Sequence, residues 1–330
     1  MKIGILGAGG WGTAVACVAA ENNNVLLWSH DSKTADEINN HHTNETYLKG
    51  AKLPHNIKAT HDARMCDDCD VLVIGIPTQF IRPALAENHF DFKNKIVVSL
   101  AKGIEKRTLK RVSEILQEVA GIDETQYVNL TGPSHAEEVS RGVPTTVLAA
   151  SKVLKNAEIV QKIFSTPRFR VYTSQDVVGS EIGGALKNVI AISAGIIDGL
   201  GLGDNTKAAL MTRGLAEIAR LGVKIGADPH TFSGLAGMGD LIVTCASRHS
   251  RNRYVGEQIG RGKLLNDILK EMTMVAEGVS TTESAYQLAQ KVGVEMPITE
   301  QVYEVLFKNK SPLEGLQTLM VRETKAEHWW

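Results

Sequence analysis

Lys2-Ile3-Gly4-Ile5-Leu6-Gly7-Ala8-Gly9-Gly10-Trp11-Gly12-Thr13 is the stretch whose reading decides the fold. Ile3 to Leu6 is a short apolar run, and Gly7, Gly9 and Gly12 follow it at once. A helical pattern then runs from Thr13 to Ala20, before a second apolar run at Val25-Leu26-Leu27-Trp28. Glycines at this spacing occur in many loops, so the flanking strand and helix are what give the motif its meaning. Gly7 permits a tight turn, Gly9 lets the backbone approach a pyrophosphate, and Gly12 lets helix and strand pack closely. The helix N-terminus then offers its unpaired N–H groups to the phosphates.

Working outward, further β-branched runs stand at Val71-Leu72-Val73-Ile74 and Ile96-Val97-Val98-Ser99, with a weaker one at Tyr127-Val128-Asn129-Leu130. Helical patterns separate them, as in Leu109 to Val119, where Leu109, Val112, Ile115, Leu116 and Val119 fall on one face. Alternation of this kind predicts a parallel sheet covered on both faces. Thr145 to Ala150 and Phe169 to Tyr172 read as further strands, with a helix from about Lys152 to Phe164 between them. Past Gly179 the strand-like runs cease. Helical patterns take over at Gly184 to Ile197, Lys207 to Leu221, Asn252 to Gly260, Thr281 to Val292 and Thr299 to Phe307. Glycine-rich joints, Gly199-Leu200-Gly201-Leu202-Gly203 and Gly237-Met238-Gly239, punctuate them. The expected class is α/β: an N-terminal Rossmann-like doubly wound sheet over 1–180, then an all-α C-terminal domain over 181–330.

The chain has 330 residues, 43% hydrophobic and 22% charged, with a net charge of −1. That is enough for two domains with sizeable cores. No broad field draws it to nucleic acid or to an acidic membrane surface, so an anionic ligand must be held by local groups. No apolar run approaches the roughly 20 residues of a bilayer span. The glycines after Lys2 make a poor signal-peptide core, so the chain is expected to be cytoplasmic. Of the four cysteines, Cys66 and Cys69 have CxxC spacing, but no second Cys or His pair joins them to form a structural metal site. They read as two reduced thiols, with a redox pair as the alternative. The terminal His328-Trp329-Trp330 has no readable role.

The end of the second strand usually carries an acid for the adenosine ribose in NAD enzymes. Here the region reads Trp28-Ser29-His30-Asp31, with the acid one or two positions late and Ser29 and His30 able to hydrogen-bond a 2′-phosphate. NADP is therefore expected to be accepted as well as NAD. In the second half, Gly183-Gly184-Ala185-Leu186-Lys187-Asn188-Val189-Ile190-Ala191 sets a lysine among small and apolar residues. If buried, Lys187 has a depressed pKa and can exchange a proton with an alcohol as hydride moves. Its alternative is to snorkel to water.

Together these segments resemble the bacterial type of NAD(P)-dependent glycerol-3-phosphate dehydrogenase. The likeness runs through Gly183 to Asn205, Gly237-Met238-Gly239-Asp240-Leu241 and Ser250-Arg251-Asn252-Arg253-Tyr254. It also takes in Ala101-Lys102-Gly103-Ile104-Glu105, Thr131-Gly132-Pro133-Ser134, Val275-Ala276-Glu277-Gly278 and Met296-Pro297-Ile298. Several motifs in order across the whole chain are far more specific than one glycine fingerprint. The resemblance implies interconversion of sn-glycerol 3-phosphate and dihydroxyacetone phosphate, supplying phospholipid synthesis. It makes Lys187 the proton-transferring lysine and Lys102 a second lysine near substrate and nicotinamide, whose charge would depress Lys187. Asp240 becomes a substrate-site carboxylate orienting the lysine.

The resemblance likewise assigns the substrate phosphate to Arg251 and Asn252, with Ser250 as helix cap and phosphate donor, and lets Arg251 reach the cofactor. Gly132 and Ser134 serve the substrate, and Ala136 the nicotinamide end. Gly7, Gly9, Gly10, Trp11, Gly12 and His30 contact the cofactor, over which Val275 and Glu277 close. The family often has Ser where Gly10 stands, so pyrophosphate binding is expected to be weakened but kept. No metal site is expected. The competing readings are another two-domain hydroxyacid or sugar-phosphate dehydrogenase, and a regulator that senses NAD(P) without turnover; a sensor needs no proton relay. An apolar helical domain makes a homodimer the expected assembly.

Overall fold

The computed structural model describes residues 1–324, 326 and 327; the terminal His328-Trp329-Trp330 lies outside them. Eight strands form one sheet: β1 (Lys2–Leu6), β2 (Asn24–Trp28), β3 (Ile57–Thr60), β4 (Val71–Ile74), β5 (Ile96–Ser99), β6 (Tyr127–Thr131), β7 (Thr145–Ala150) and β8 (Phe169–Ser174). Their order is β3-β2-β1-β4-β5-β6-β7-β8. All neighbours run parallel except β6 and β7, where Asn129 faces Ala150 and Thr131 faces Leu148 in antiparallel register. β3 is the strand that periodicity did not disclose; it is four residues long, and Lys58 interrupts its apolar run.

The accompanying helices of the first half are α1 (Gly10–Ala20), α2 (Ser32–His41), α3 (Thr78–Glu87), α4 (Val112–Ala120), α5 (Ala136–Val139) and α6 (Leu154–Phe164). One sheet face packs Ile3, Ile5, Val73 and Val98 with Val15 of α1 and Val160 of α6. The other packs Leu72, Ile74 and Val97 with Ile81 of α3 and Ile115 of α4. Both faces are therefore covered, as the unbroken apolar runs require.

The second half is helical: α7 (Val177–Leu200), α8 (Gly203–Lys224), α9 (Asp240–Ala246), α10 (Arg251–Gly260), α11 (Leu265–Glu271), α12 (Glu277–Val292), α13 (Pro297–Phe307) and α14 (Pro312–Met320). Its core is separate from the sheet's and centres on α7, with Leu186, Ile190 and Ile197 buried. The joint around Gly201 holds as expected: Gly201 closes α7 with φ +70° and leads into α8. Gly237-Met238-Gly239 is not an open joint but part of a π-helical turn, Leu235–Gly239, running straight into α9.

Among the described residues one helix, α7, is long and apolar enough to be weighed as a span. Its 24 residues, with a mean hydropathy of 1.3 over the best window, satisfy the length and composition of a span. That window is 83% buried inside the protein, so the apolar surface is already covered by other helices.

α7 and α10 cross backbone to backbone. A Cβ on Gly195 would lie 1.9 Å from the carbonyl oxygen of Arg253, and one on Gly256 would lie 1.9 Å from that of Ile192. Only glycine permits this approach. It seats the N-terminus of α10, with Ser250, Arg251 and Asn252, beside the helix that carries Lys187. A groove of about 600 Å3 opens elsewhere, between α7, α8, α13 and α14, and none of the expected site residues lines it.

Candidate active site

The glycine turn sits at the carboxyl end of β1, between β2 and β4, where the chain's crossovers change direction and open α/β sheets bind ligands. Gly7 has φ +120°, and a Cβ on Gly12 would stand 2.1 Å from the Gly7 carbonyl oxygen. Gly9 begins α1 with no capping side chain, and a Cβ there would meet nothing within 4 Å. First-turn N–H groups and clear space are what a pyrophosphate needs, so these residues fit a dinucleotide. Trp11 leans on the sheet core, its indole N–H buried without a partner among the described residues.

Asn44 underpins this turn, a role nothing in the sequence signalled. Fully buried, it donates from Nδ2 to Ala8 O at 2.8 Å and to Thr13 Oγ1 at 2.9 Å. Its loop also bears on Gly10: a Cβ there would lie 2.6 Å from the Tyr47 carbonyl oxygen. A serine at this position would require the Tyr47 backbone to move.

At the end of β2 the structure explains the late acid. Asp31 caps α2, accepting from Lys33 N at 3.1 Å, Thr34 N at 3.3 Å and Thr34 Oγ1 at 2.9 Å. The Thr34 hydroxyl, followed by the Lys33 amide, holds its carboxyl below the usual range. The carboxylate is thus engaged in its own helix, while His30 is exposed beside it and Ser29 Oγ accepts from Asp31 N at 3.2 Å.

Lys187 lies in α7 and is 6% exposed; it does not snorkel. Its ammonium donates to Asp240 Oδ1 and to Thr244 Oγ1, each at 2.7 Å. Asp240 opens α9 and is 1% exposed, and its other oxygen accepts from Lys102 at 2.8 Å. Lys102, just past β5, also donates to Gly132 O at 3.0 Å. Burial lowers the Lys187 pKa to about 8; Asp240 opposes that shift and Lys102 adds to it. Burial is thus the larger cause, with the like charge second to it in the same direction. Burial works to raise the Asp240 carboxyl, but Lys102 and Lys187 together bring it below its usual value.

Thr244 is a residue the sequence reading missed, although it stands four positions after Asp240 on one helix face. Its hydroxyl also donates to Asp240 O at 2.6 Å. Asn188 was missed too. It donates to Lys102 O at 3.1 Å and accepts from Asn252 Nδ2 at 2.9 Å. Asn252 in turn accepts from Gly278 N at 2.9 Å. Asn252 is therefore turned into the protein, with one Nδ2 hydrogen left over. Arg251 is exposed at the start of α10, which Ser250 caps by accepting from Arg253 N at 3.2 Å.

The turn after β6 reaches both halves of the site. Gly132 has φ +139°, Ser134 Oγ donates back to Gly132 O at 2.8 Å, and Ala136 packs 3.9 Å from a Gly10 Cβ position. Across the domains Glu277, which starts α12, accepts from Thr78 N of α3 at 2.9 Å, and Val275 just before it is exposed. Cys66 and Cys69 are buried free thiols, and burial pushes Cys66 up to about 12.

A dinucleotide turn on a doubly wound sheet, facing a buried lysine–carboxylate pair in a helical domain, defines a two-domain nicotinamide-dependent oxidoreductase. Within that class, residues 2–157 match the N-terminal and residues 176–317 the C-terminal family model of NAD-dependent glycerol-3-phosphate dehydrogenase. The chain belongs to that family. It is 50% identical over 333 residues to glycerol-3-phosphate dehydrogenase [NAD(P)+] of Chlorobium phaeobacteroides, covering 100% of each chain. It is 52% identical to the enzyme of the same name from Lysinibacillus sphaericus, over 99% of this chain and 98% of that one. The crystal structure of glycerol-3-phosphate dehydrogenase from Coxiella burnetii superimposes with a TM-score of 0.91 at 34% identity, over 97% of this chain and 99% of that one.

Proposed function

We propose that this chain interconverts dihydroxyacetone phosphate and sn-glycerol 3-phosphate with NAD or NADP, and that the residues above carry it out. The observation that carries the reading is the buried Lys187–Asp240–Lys102 cluster at the carboxyl edge of the sheet. A nicotinamide held by the glycine turn would supply or take the hydride at C2. In the reductive direction Lys187 delivers its proton to the C2 oxygen; in the oxidative direction the neutral amine takes it. A pKa of about 8 keeps both forms accessible near neutrality. Asp240 and Thr244 hold the amine in place, and Lys102 offers a second positive charge to the negative charge that develops on the oxygen.

Arg251 presents a planar fork to the phosphate, assisted by Ser250 and the remaining Asn252 hydrogen. Gly132 and Ser134 line the substrate side. Gly7, Gly9, Gly10, Trp11, Gly12, His30 and Ala136 hold the cofactor, with Lys102 and Arg251 reaching it from the substrate side. Val275 and Glu277 close over it. Residues 1–180 form the cofactor domain and 181–330 the substrate domain.

The cytoplasm, where dihydroxyacetone phosphate and phospholipid precursors meet, is the proposed location. A homodimer is the proposed assembly; Leu264, at 70% exposure, and Met320, at 76%, leave apolar surface on the helical half. Light scattering on the purified protein tests the assembly. Oxidation of NADH or NADPH upon addition of dihydroxyacetone phosphate tests the activity, and its absence would reject it.

A further inference from the structure

His135 has a part in none of the roles assigned above, yet the site surrounds it. It lies in the turn between Ser134 and Ala136. From Pro133 this turn touches Gly239, where a Cβ would come 3.7 Å from the proline ring, one residue before Asp240. The His135 ring Nε2 is 3.4 Å from Val243 O, on the same helix as Asp240 and Thr244. Its ring centroid is 6.0 Å from that of His249, the residue before Ser250. The imidazole is thereby placed between the proton-transfer cluster and the phosphate group.

A carbonyl oxygen only accepts, so the contact with Val243 puts the ring proton on Nε2. The neutral ring then has an acceptor lone pair at Nδ1, which the contact with Val243 leaves unused. Burial, reinforced by the charges of Lys187 and Lys102, lowers the His135 pKa and keeps the ring neutral. In the reaction above C2 and the phosphate have partners, whereas the free hydroxymethyl group of the substrate has none. It is a donor in search of an acceptor.

We propose that His135 is a specificity-determining residue, accepting a hydrogen bond at Nδ1 from the C1 hydroxyl of the substrate. The proposal rests on the substrate reading given above. A site that accepts from a hydroxyl discriminates against the analogue that lacks it, because the acceptor then loses that partner.

The test compares dihydroxyacetone phosphate with acetonyl phosphate, its analogue without the C1 hydroxyl, as ratios of kcat/KM in each enzyme. A ratio taken within one preparation is independent of how much of a variant folds. His135→Asn keeps an acceptor at the Nδ1 position, whereas His135→Gln places its amide at the Nε2 position and His135→Phe has neither. The expected result is a preserved preference in wild type and His135→Asn, and one reduced roughly ten- to hundredfold in His135→Gln and His135→Phe. An unchanged preference in His135→Gln and His135→Phe overturns the role of His135 alone, as does its loss in His135→Asn. A wild-type enzyme that reduces neither ketone overturns the substrate reading, and this one with it.

Discussion

Lys187 of α7 and Asp240 of α9 are 53 residues apart in the chain and 2.7 Å apart in space, both inside the protein. Asp240 shares its other oxygen with Lys102, so one buried carboxylate faces two ammonium groups. Leaving either partner of such an arrangement alone is costly, because a buried charge without a counter-charge loses its solvation and gains nothing in return. The excess positive charge is relieved when Lys187 gives up its proton, and this links the packing of the site to its chemistry.

That link has a sign. Lys187, with its pKa lowered to about 8, must be neutral to accept a proton and charged to donate one. Alcohol oxidation should rise as pH passes through about 8, and ketone reduction should fall over the same range. Rate profiles in both directions check this. Lys187→Ala should lower kcat by roughly a hundred- to ten-thousandfold; a variant with full activity would remove Lys187 from the mechanism.

Asp240→Asn keeps the shape of the carboxylate and removes its charge. Asp240 raises the Lys187 pKa against the effect of burial, so its loss should move the pH inflection downward. Activity near neutrality should fall in the reductive direction, where a protonated Lys187 is required. An inflection that stays at its wild-type position would show that Asp240 does not govern the lysine.

Asp31 caps α2 and does not stand free for the ribose. Asp31→Ala should cost about 1 kcal/mol of stability, as the loss of an N-cap does, and leave the ratio of NADH to NADPH affinities nearly unchanged. His30→Ala should weaken NADPH more than NADH. Cofactor titrations followed by fluorescence decide both, and a large swing towards NADPH in Asp31→Ala would return the acid to the ribose.

Gly256→Ala introduces a methyl where the Ile192 carbonyl oxygen already stands. Forcing α7 and α10 apart should cost on the order of 1–3 kcal/mol and raise KM for the phosphorylated substrate, since α10 carries Arg251. Thermal unfolding and steady-state kinetics measure the two effects, and a variant with wild-type stability would show that the helices are not in close contact there.

Much of this molecule was legible in its chain. Unbroken β-branched runs such as Val71 to Ile74 announce strands buried on both faces, and the glycines after Leu6 announce the turn that follows them. β3 escaped because four residues interrupted by Lys58 form too short a period to register. Gly237 and Gly239 suggested a joint, whereas tertiary packing drew them into a π-helical turn. The length of α7 was hidden by Glu181 and Lys187, two charges that the fold buries.

The local order of residues determined the strands, the glycine turn and the identity of the groups able to move a proton or hold a phosphate, because these depend on neighbours a few positions away. Whether Lys187 would snorkel or be buried depended on groups more than fifty residues distant. Only the packing of α9 and of the segment after β5 against α7 brought Asp240, Thr244 and Lys102 together. Asn188, bonded to Lys102 O, and Asn44, bonded to Ala8 O, belong to the same category. Hydrogen bonds and desolvation act over a few ångströms of space, and only the folded chain establishes which groups come that close.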